Sequence, residues 1–282
     1  MCCTLAPAEL SDTIVYAHKM NDGRHVLAYQ NKAQSTPNYY SATNPLVYNR
    51  TGRAKPEDVV NAMILPIPAK EEIGPQNAVD LREDPTVLKD YARAVQTQHQ
   101  YKGVSRSMML SDSVVQVFKT GSYEVVTTKE PWLIPEVVKE LHPEINVGVE
   151  LMDAYAKAYQ GWNVAICFFS GSIEPEPIMF TYESMYQNHL FLPTLDSHDG
   201  GRPRRYAKLD HTIVVGSVVA GKQVNRKTPS HLKPYLSDQV IGFEAKHSSL
   251  NGDFWFPILR RDVELEWAKD VTLRLPAGTR PE

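Results

Sequence analysis

Between residues 13 and 33 two apolar-rich arms, TIVYAHKM and HVLAYQNKA, flank the polar run Asn21-Asp22-Gly23-Arg24. Asn21-Asp22-Gly23 tolerates positive φ, so the pattern predicts an antiparallel hairpin with an exposed Asp22. NAMILPIPA (61–69) predicts a short buried strand broken at Pro66 and Pro68. Asp84-Pro85 reads as an N-cap and first-turn pair opening a helix over 84–99. SVVQVFKTGSYEVVTTK (113–129) is a second hairpin turning near Gly121. Two helical segments follow, at 130–141 and 146–159. In the latter, Val149, Met152, Tyr155, Ala156 and Tyr159 recur at helical spacing and predict its apolar face. GWNVAICFFSG (161–171) and PIMFTYES (177–184) read as buried strands, which makes Cys167 a core residue. Further strands fall at 211–221, 239–245, 253–259 and 271–275. The segments 35–58 and 222–238 are polar and read as a long loop and a linker.

Hairpins, then a helical insert, then more strands make an α+β pattern. The expected fold is mainly antiparallel sheet built from hairpins, with a helical insert near 130–160. No composition shift marks a boundary, so 1–282 reads as one domain. Twenty prolines and 15 glycines agree with many short elements. A net charge of −3 leaves no electrostatic footprint for nucleic acid or an acidic membrane. No apolar run reaches the roughly 18–20 residues that span a bilayer. The start MCCTLAPAELSD has no basic and apolar leader pattern. Three cysteines make no disulfide framework, so the expected setting is cytoplasmic. P-loop, G-x-G-x-x-G, H-E-x-x-H and G-x-S-x-G motifs are absent, and no cofactor or metal is expected.

Charged and imidazole groups concentrate in PTLDSHDGGRPRRYAKLDHTI (193–213), with His189 just upstream. Asp196 and His198, two apart, face the same side of an extended segment. Pairing of 186–195 with 211–220 would bring His198 and His211 to one end of the main sheet, with Asp196 or Asp210 in hydrogen-bonding reach. A carboxylate beside an imidazole orients it as a general base. His189, His198 and His211 with an aspartate would also offer divalent-metal ligands, although at no recognised spacing. The competing reading is a polar loop in which Asp and Gly shape turns and Arg202, Arg204 and Arg205 solvate the loop or pair with the aspartates. Arg204 is nevertheless a candidate binding residue. So are Tyr39 and Tyr40 in the 35–58 loop, and Trp255, which a period of two exposes if Phe254 and Phe256 are buried.

Two resemblances add expectations. The succession NAMILPIPA, VVQVFKTGSYEVV, NVGVELMDAYAKAY, GWNVAICFF and PIMFTYES, over about residues 61–184, resembles an uncharacterised bacterial family of unknown function, which implies a fold and no activity. The start MCCT resembles the N-terminal-cysteine acylases. In that class the α-amine takes the proton of its own thiol, so the resemblance implies Cys2 as nucleophile once Met1 is removed. The acylases continue with an Arg-Asn-Met-Asp run, where this chain has His18 and Lys19 and places Asp22 in a turn. Cys3 points opposite to Cys2 along a strand. Two functional expectations result. One is a cysteine-dependent hydrolase of an amide or acyl bond, with Cys2, His198, His211 and Asp196 as its machinery and an unspecified small molecule or peptide as substrate. The other is a non-catalytic binding or self-assembling protein, with a second copy of the chain among its partners.

Overall fold

The structure is a computed structural model that describes residues 2–5, 8–35, 60–97, 115–170, 175–216, 224–245, 248–258 and 273–276. The first half contains strands β1 (Cys2–Cys3), β2 (Ala8–Lys19), β3 (His25–Ser35) and β4 (Val60–Ile67), then helix α1 (Val87–Thr97). The hairpin β5 (Gln116–Thr120) and β6 (Tyr123–Thr128) leads into helices α2 (Ile134–Leu141) and α3 (Val149–Ala158). Strands β7 (Asn163–Ser170), β8 (Ile178–Tyr182), β9 (His189–Leu192), β10 (Asp196–Ser197), β11 (Tyr206–Lys208) and β12 (His211–Gly216) follow. The chain closes with β13 (Val224–Asn225), β14 (Gln239–Ala245), β15 (Ser248–Leu250), β16 (Gly252–Pro257) and β17 (Leu273–Pro276). This is the expected α+β class, mainly antiparallel.

A six-stranded sheet ordered β13-β14-β12-β2-β3-β8 forms the centre. The β2–β3 hairpin turns at Gly23, with φ at 91°, and Asp22 stays exposed and ion-paired to Arg24. Alternation along β2 sends Val15 and Ala17 to one face and Ile14 and Tyr16 to the other. Both sets are buried, because both faces of the sheet are covered. The first face packs into a large core with the four-stranded sheet β4-β7-β6-β5, the three-stranded sheet β17-β16-β9 and helices α2 and α3. Cys167 lies there between Ile166 and Phe168, fully buried, and burial pushes its thiol pKa well up. The second face packs under α1 and the segment around Leu232 and Leu236.

Several local expectations change. Strands 186–195 and 211–220 are not partners: β9 pairs with β16, and β12 runs parallel to β2 and antiparallel to β14. The Asp84 carboxylate takes a long-range partner. That carboxylate lies 3.0 Å from His231 Nε2, and the helix begins three residues later. Val149 opens α3 on its outer side, 73% exposed, while Met152, Tyr155 and Tyr159 are buried as their spacing requires.

Candidate functional site

The N-terminal strand is threaded through the molecule. β1 pairs in parallel with β10, placing Cys2 opposite Asp196 and Cys3 opposite Ser197. The N–H groups of Thr4 and Ala8 continue the contact, donating to Ser197 O and His198 O at 3.0 Å each. On the other side Thr4 bridges Met63, and Leu5 N–H donates to Ala62 O. Cys3 is fully buried and its thiol donates to Leu195 O at 3.5 Å. The backbones of Cys2 and Asp196 are therefore at neighbouring-strand spacing, about 4.8 Å.

His198 Nε2 lies 2.7 Å from Asp196 Oδ1, and the His198 side chain is 33% exposed. The two residues share a cavity of about 200 Å³ with Asp210 and His211. Leu10 and Leu209 give it apolar walls and Thr13 adds a hydroxyl. His211 is buried at the start of β12, held between Thr13 and Ala245 of the flanking strands. Asp210 anchors a bulge in β2: its Oδ2 accepts from Asp12 N–H at 3.1 Å and its carbonyl from Thr13 N–H at 3.2 Å. Asp12 has φ of 50°, and the β2–β3 register shifts between Ser11 and Ile14. Leu10 and Thr13, on either side of the bulge, both line the cavity, and irregular strands are common beside sites.

The structure thus brings Asp196, His198, Asp210 and His211 around one small cavity, with the Cys2 backbone beside Asp196. A carboxylate next to a half-exposed imidazole can orient that ring for proton transfer. His189 is elsewhere: it belongs to β9, lies 6.5 Å from Trp255 between ring centroids, and burial lowers its imidazole pKa. Among the described residues no group of three or more His, Cys, Asp or Glu could hold a metal ion. Nor is any described helix long and apolar enough to cross a membrane.

The remaining candidates separate from this site. Arg204 is 83% exposed in its side chain, and its guanidinium lies 3.3 Å from Asp199. Burial opposes ionisation of Asp199, but Gly201 N–H, the Ser197 hydroxyl and Arg204 outweigh it and hold that carboxyl below its ordinary pKa. Arg204 therefore supports the loop around Gly201 and does not reach into the cavity lining. Trp255 is not exposed. It is buried with both of its neighbours, because β16 is the central strand of its sheet and both faces are covered. On one face Phe254 and Phe256 meet Phe243, and on the other Trp255 meets Trp162, Tyr186 and Phe191. Tyr39 and Tyr40 lie outside the described residues.

No protein-family model matches the chain, and no curated protein matches it. Among solved structures the chain is similar to baculovirus P35, at 14% identity over 92% of this chain and 100% of that one, with a TM-score of 0.48. A mutated baculovirus P35 after caspase cleavage gives 12% identity, 89% and 100% coverage and a TM-score of 0.46. The caspase-8/P35 complex gives 14%, 89% and 97%, with a TM-score of 0.43. Likenesses of this strength assign the chain neither a family nor an activity.

Proposed function

We propose that the cavity is a cysteine-dependent acyl-transfer site, with Cys2 as nucleophile and the His198–Asp196 pair as its acid–base group. The observation that carries this reading is the β1–β10 pairing, which sets the Cys2 backbone against Asp196, 2.7 Å from His198. The thiol sulfur attacks an amide or ester carbonyl carbon and its proton passes to the His198 imidazole. The C–N or C–O bond breaks and the imidazolium returns the proton to the leaving group. Water then hydrolyses the thioester. Asp196 keeps the imidazole oriented, and His211 lines the same cavity.

The test is acetylation by a simple acetyl thioester, read by peptide mass mapping. Acyl transfer is expected at Cys2, with none at the buried Cys3 and Cys167. His198→Ala should slow it by about 10²-fold, the lower range for loss of a general base. A Cys2 rate equal to that of free cysteine, and unchanged in His198→Ala, would overturn the reading.

Exposed apolar side chains on the helical insert favour a second reading, a protein-binding module without catalysis. Trp132 is 63% and Val149 73% exposed. Single exposed residues are ordinary, but a tryptophan beside a helix start is a common anchor at protein contacts. Baculovirus P35 has been solved in complex with caspase-8, which supplies the first protein partner to try with this chain. Retention of that protease on size exclusion, lost in Trp132→Ser, is the expected result for this reading. Separate elution of the two proteins removes that partner.

A further inference from the structure

We propose that Asn251 and Asp253 are positioning residues of the site, forming a side-chain clamp that holds the backbone of residues 194–196 so that Asp196 meets His198. This rests on the reading of Cys2, His198 and Asp196 as the reactive group. The β9–β16 ladder ends at the Leu192–Phe254 pair, and Pro193 has no N–H to extend it. From there the chain leaves the three-stranded sheet and runs along β1 instead. Its next three N–H groups are all caught by side chains of the segment that opens β16. Thr194 and Leu195 donate to Asp253 Oδ1, at 3.0 and 3.2 Å, and Asp196 donates to Asn251 Oδ1 at 2.8 Å.

The clamp also closes from the acceptor side. Asn251 Nδ2 donates to Asp196 O at 2.7 Å and to Arg204 O at 2.8 Å, so both of its hydrogens are used. Asn251 N–H donates to Arg205 O at 2.8 Å. The Thr194 hydroxyl donates to Gly252 O at 2.6 Å, and Tyr159 donates to Asp253 Oδ2 at 2.7 Å. Asn251 is 4% and Asp253 2% exposed. A two-residue strand such as β10 has too few ladder bonds to fix its own register. The bidentate grip on both the N–H and the carbonyl of Asp196 fixes it. The amide of Asn251 is required as such, because a carboxylate would keep the acceptor and lose both donors. Asp253 uses only acceptor oxygens, so an isosteric amide can keep the Oδ1 contacts.

Asn251→Ala, Asn251→Asp, Asp253→Ala and Asp253→Asn separate positioning from mere stability. Thioester formation at Cys2 is measured per folded molecule across roughly pH 5 to 9, where an imidazole titrates, and a crystal structure is determined for each Asn251 variant. Both Asn251 variants should slow Cys2 by about 10²-fold, the cost of displacing a reacting group by about 1 Å. They should also show the pH profile of His198→Ala. Asp253→Asn should keep the parental rate while Asp253→Ala loses it. In the crystals the Asp196–His198 contact should open beyond about 3.2 Å. A parental rate and pH profile in folded Asn251 variants, or an unchanged contact, overturns the clamp. If neither Asn251 variant folds, equal rates in Asp253→Asn and Asp253→Ala overturn it. If parental Cys2 shows no dependence on His198, the reading of the site fails, while the crystal distances still judge the clamp.

Discussion

The two faces of the six-stranded sheet are both buried, yet they are held by different physics. The larger face is aromatic and aliphatic: Trp162, Trp255, Phe191 and Tyr186 pack with ring centroids 4.9–6.0 Å apart. The smaller face has an aliphatic layer that is pinned by buried polar groups. Arg226, with 1% of its side chain exposed, reaches Asp90 at 2.8 Å and Val87 O at 2.8 Å, and its guanidinium sits 4.5 Å from the Tyr91 ring centroid. The Tyr91 hydroxyl meets Thr228 at 2.6 Å and donates to Ser237 O at 2.8 Å, while His231 meets Asp84 at 3.0 Å. A large apolar face needs only enough volume of the right shape. A single helix laid on a sheet needs its azimuth fixed, and directional contacts do that.

Trp255→Ala should have the largest effect, about 3–5 kcal/mol by chemical unfolding, because a buried ring is removed from between two covered faces. A loss below about 1 kcal/mol would mean that the aromatic cluster is not what holds the larger face. Arg226→Ala comes next, at about 3 kcal/mol, the lower end for breaking a buried pair, since Asp90 keeps Arg93 at 2.9 Å. Arg226→Met should recover part of that loss. Equal losses in the two variants would assign the stability to charge pairing alone. Gly242→Ala probes the same face sterically. An added Cβ would strike Ile213 O and come 2.9 Å from Val95 of α1. About 1–3 kcal/mol is expected, with the far-ultraviolet spectrum unchanged.

The same contrast explains what could be read from sequence. Periodicity revealed the β2–β3 and β5–β6 hairpins, the helical insert and the Cys167 strand, because each depends on apolar spacing within one segment and a local turn. Trp255 was misjudged because a period of two says which residues share a face, and says nothing of whether both faces are covered. Asp84 stands just before α1, where the local cap rule puts it, but nothing local announces its carboxylate's partner 147 residues away. For the site, the local pair Asp196 and His198 was legible from their spacing. The β1–β10 pairing, the placement of Asp210 under the β2 bulge and the Asn251–Asp253 clamp were not, since each joins segments tens to hundreds of residues apart with no motif at either end. The nearest sequence hint of the clamp is Pro193, which marks where the β9 ladder stops.

His25 lies on the larger face, paired across the sheet with Tyr182. It is 1% exposed, beside Tyr182 at 6.0 Å, and neither ring nitrogen has a hydrogen-bond partner among the described residues. Burial, with Lys19 and His18 adding to it, lowers its pKa to about 3. The unfolded imidazole takes its proton near pH 6.5, so between pH 6.5 and 3 the unfolded state binds more protons and stability rises with pH. Stability should be fully present above pH 6.5 and fall by about 1.4 kcal/mol per pH unit below it, or about 2 kcal/mol by pH 5. His25→Phe should flatten that slope in a pH series of urea melts. A slope of parental steepness in the variant would move the acid sensitivity to His18 or His189, whose imidazoles burial also holds below their ordinary pKa.

The smallest effect should come from Gly23, which belongs to neither face. It sits at the tip of the β2–β3 hairpin with φ at 91°, and an added Cβ would meet nothing within 4 Å. Gly23→Ala therefore carries no packing cost and isolates the backbone cost of holding an L-residue at positive φ. That cost is about 1 kcal/mol, and part of it is offset because alanine also narrows the unfolded ensemble. The hairpin should keep its register, since Met20 and Arg24 close the turn through Met20 N–H to Arg24 O at 2.8 Å and Gly23 N–H to Met20 O at 3.0 Å. The measurement is a melting temperature lowered by a few degrees with unchanged amide shifts in β2 and β3. A loss as large as that of Gly242→Ala would show that the turn is tensioned by the sheet it joins. The hairpin and the helix-covered face would then be one mechanical unit and not two.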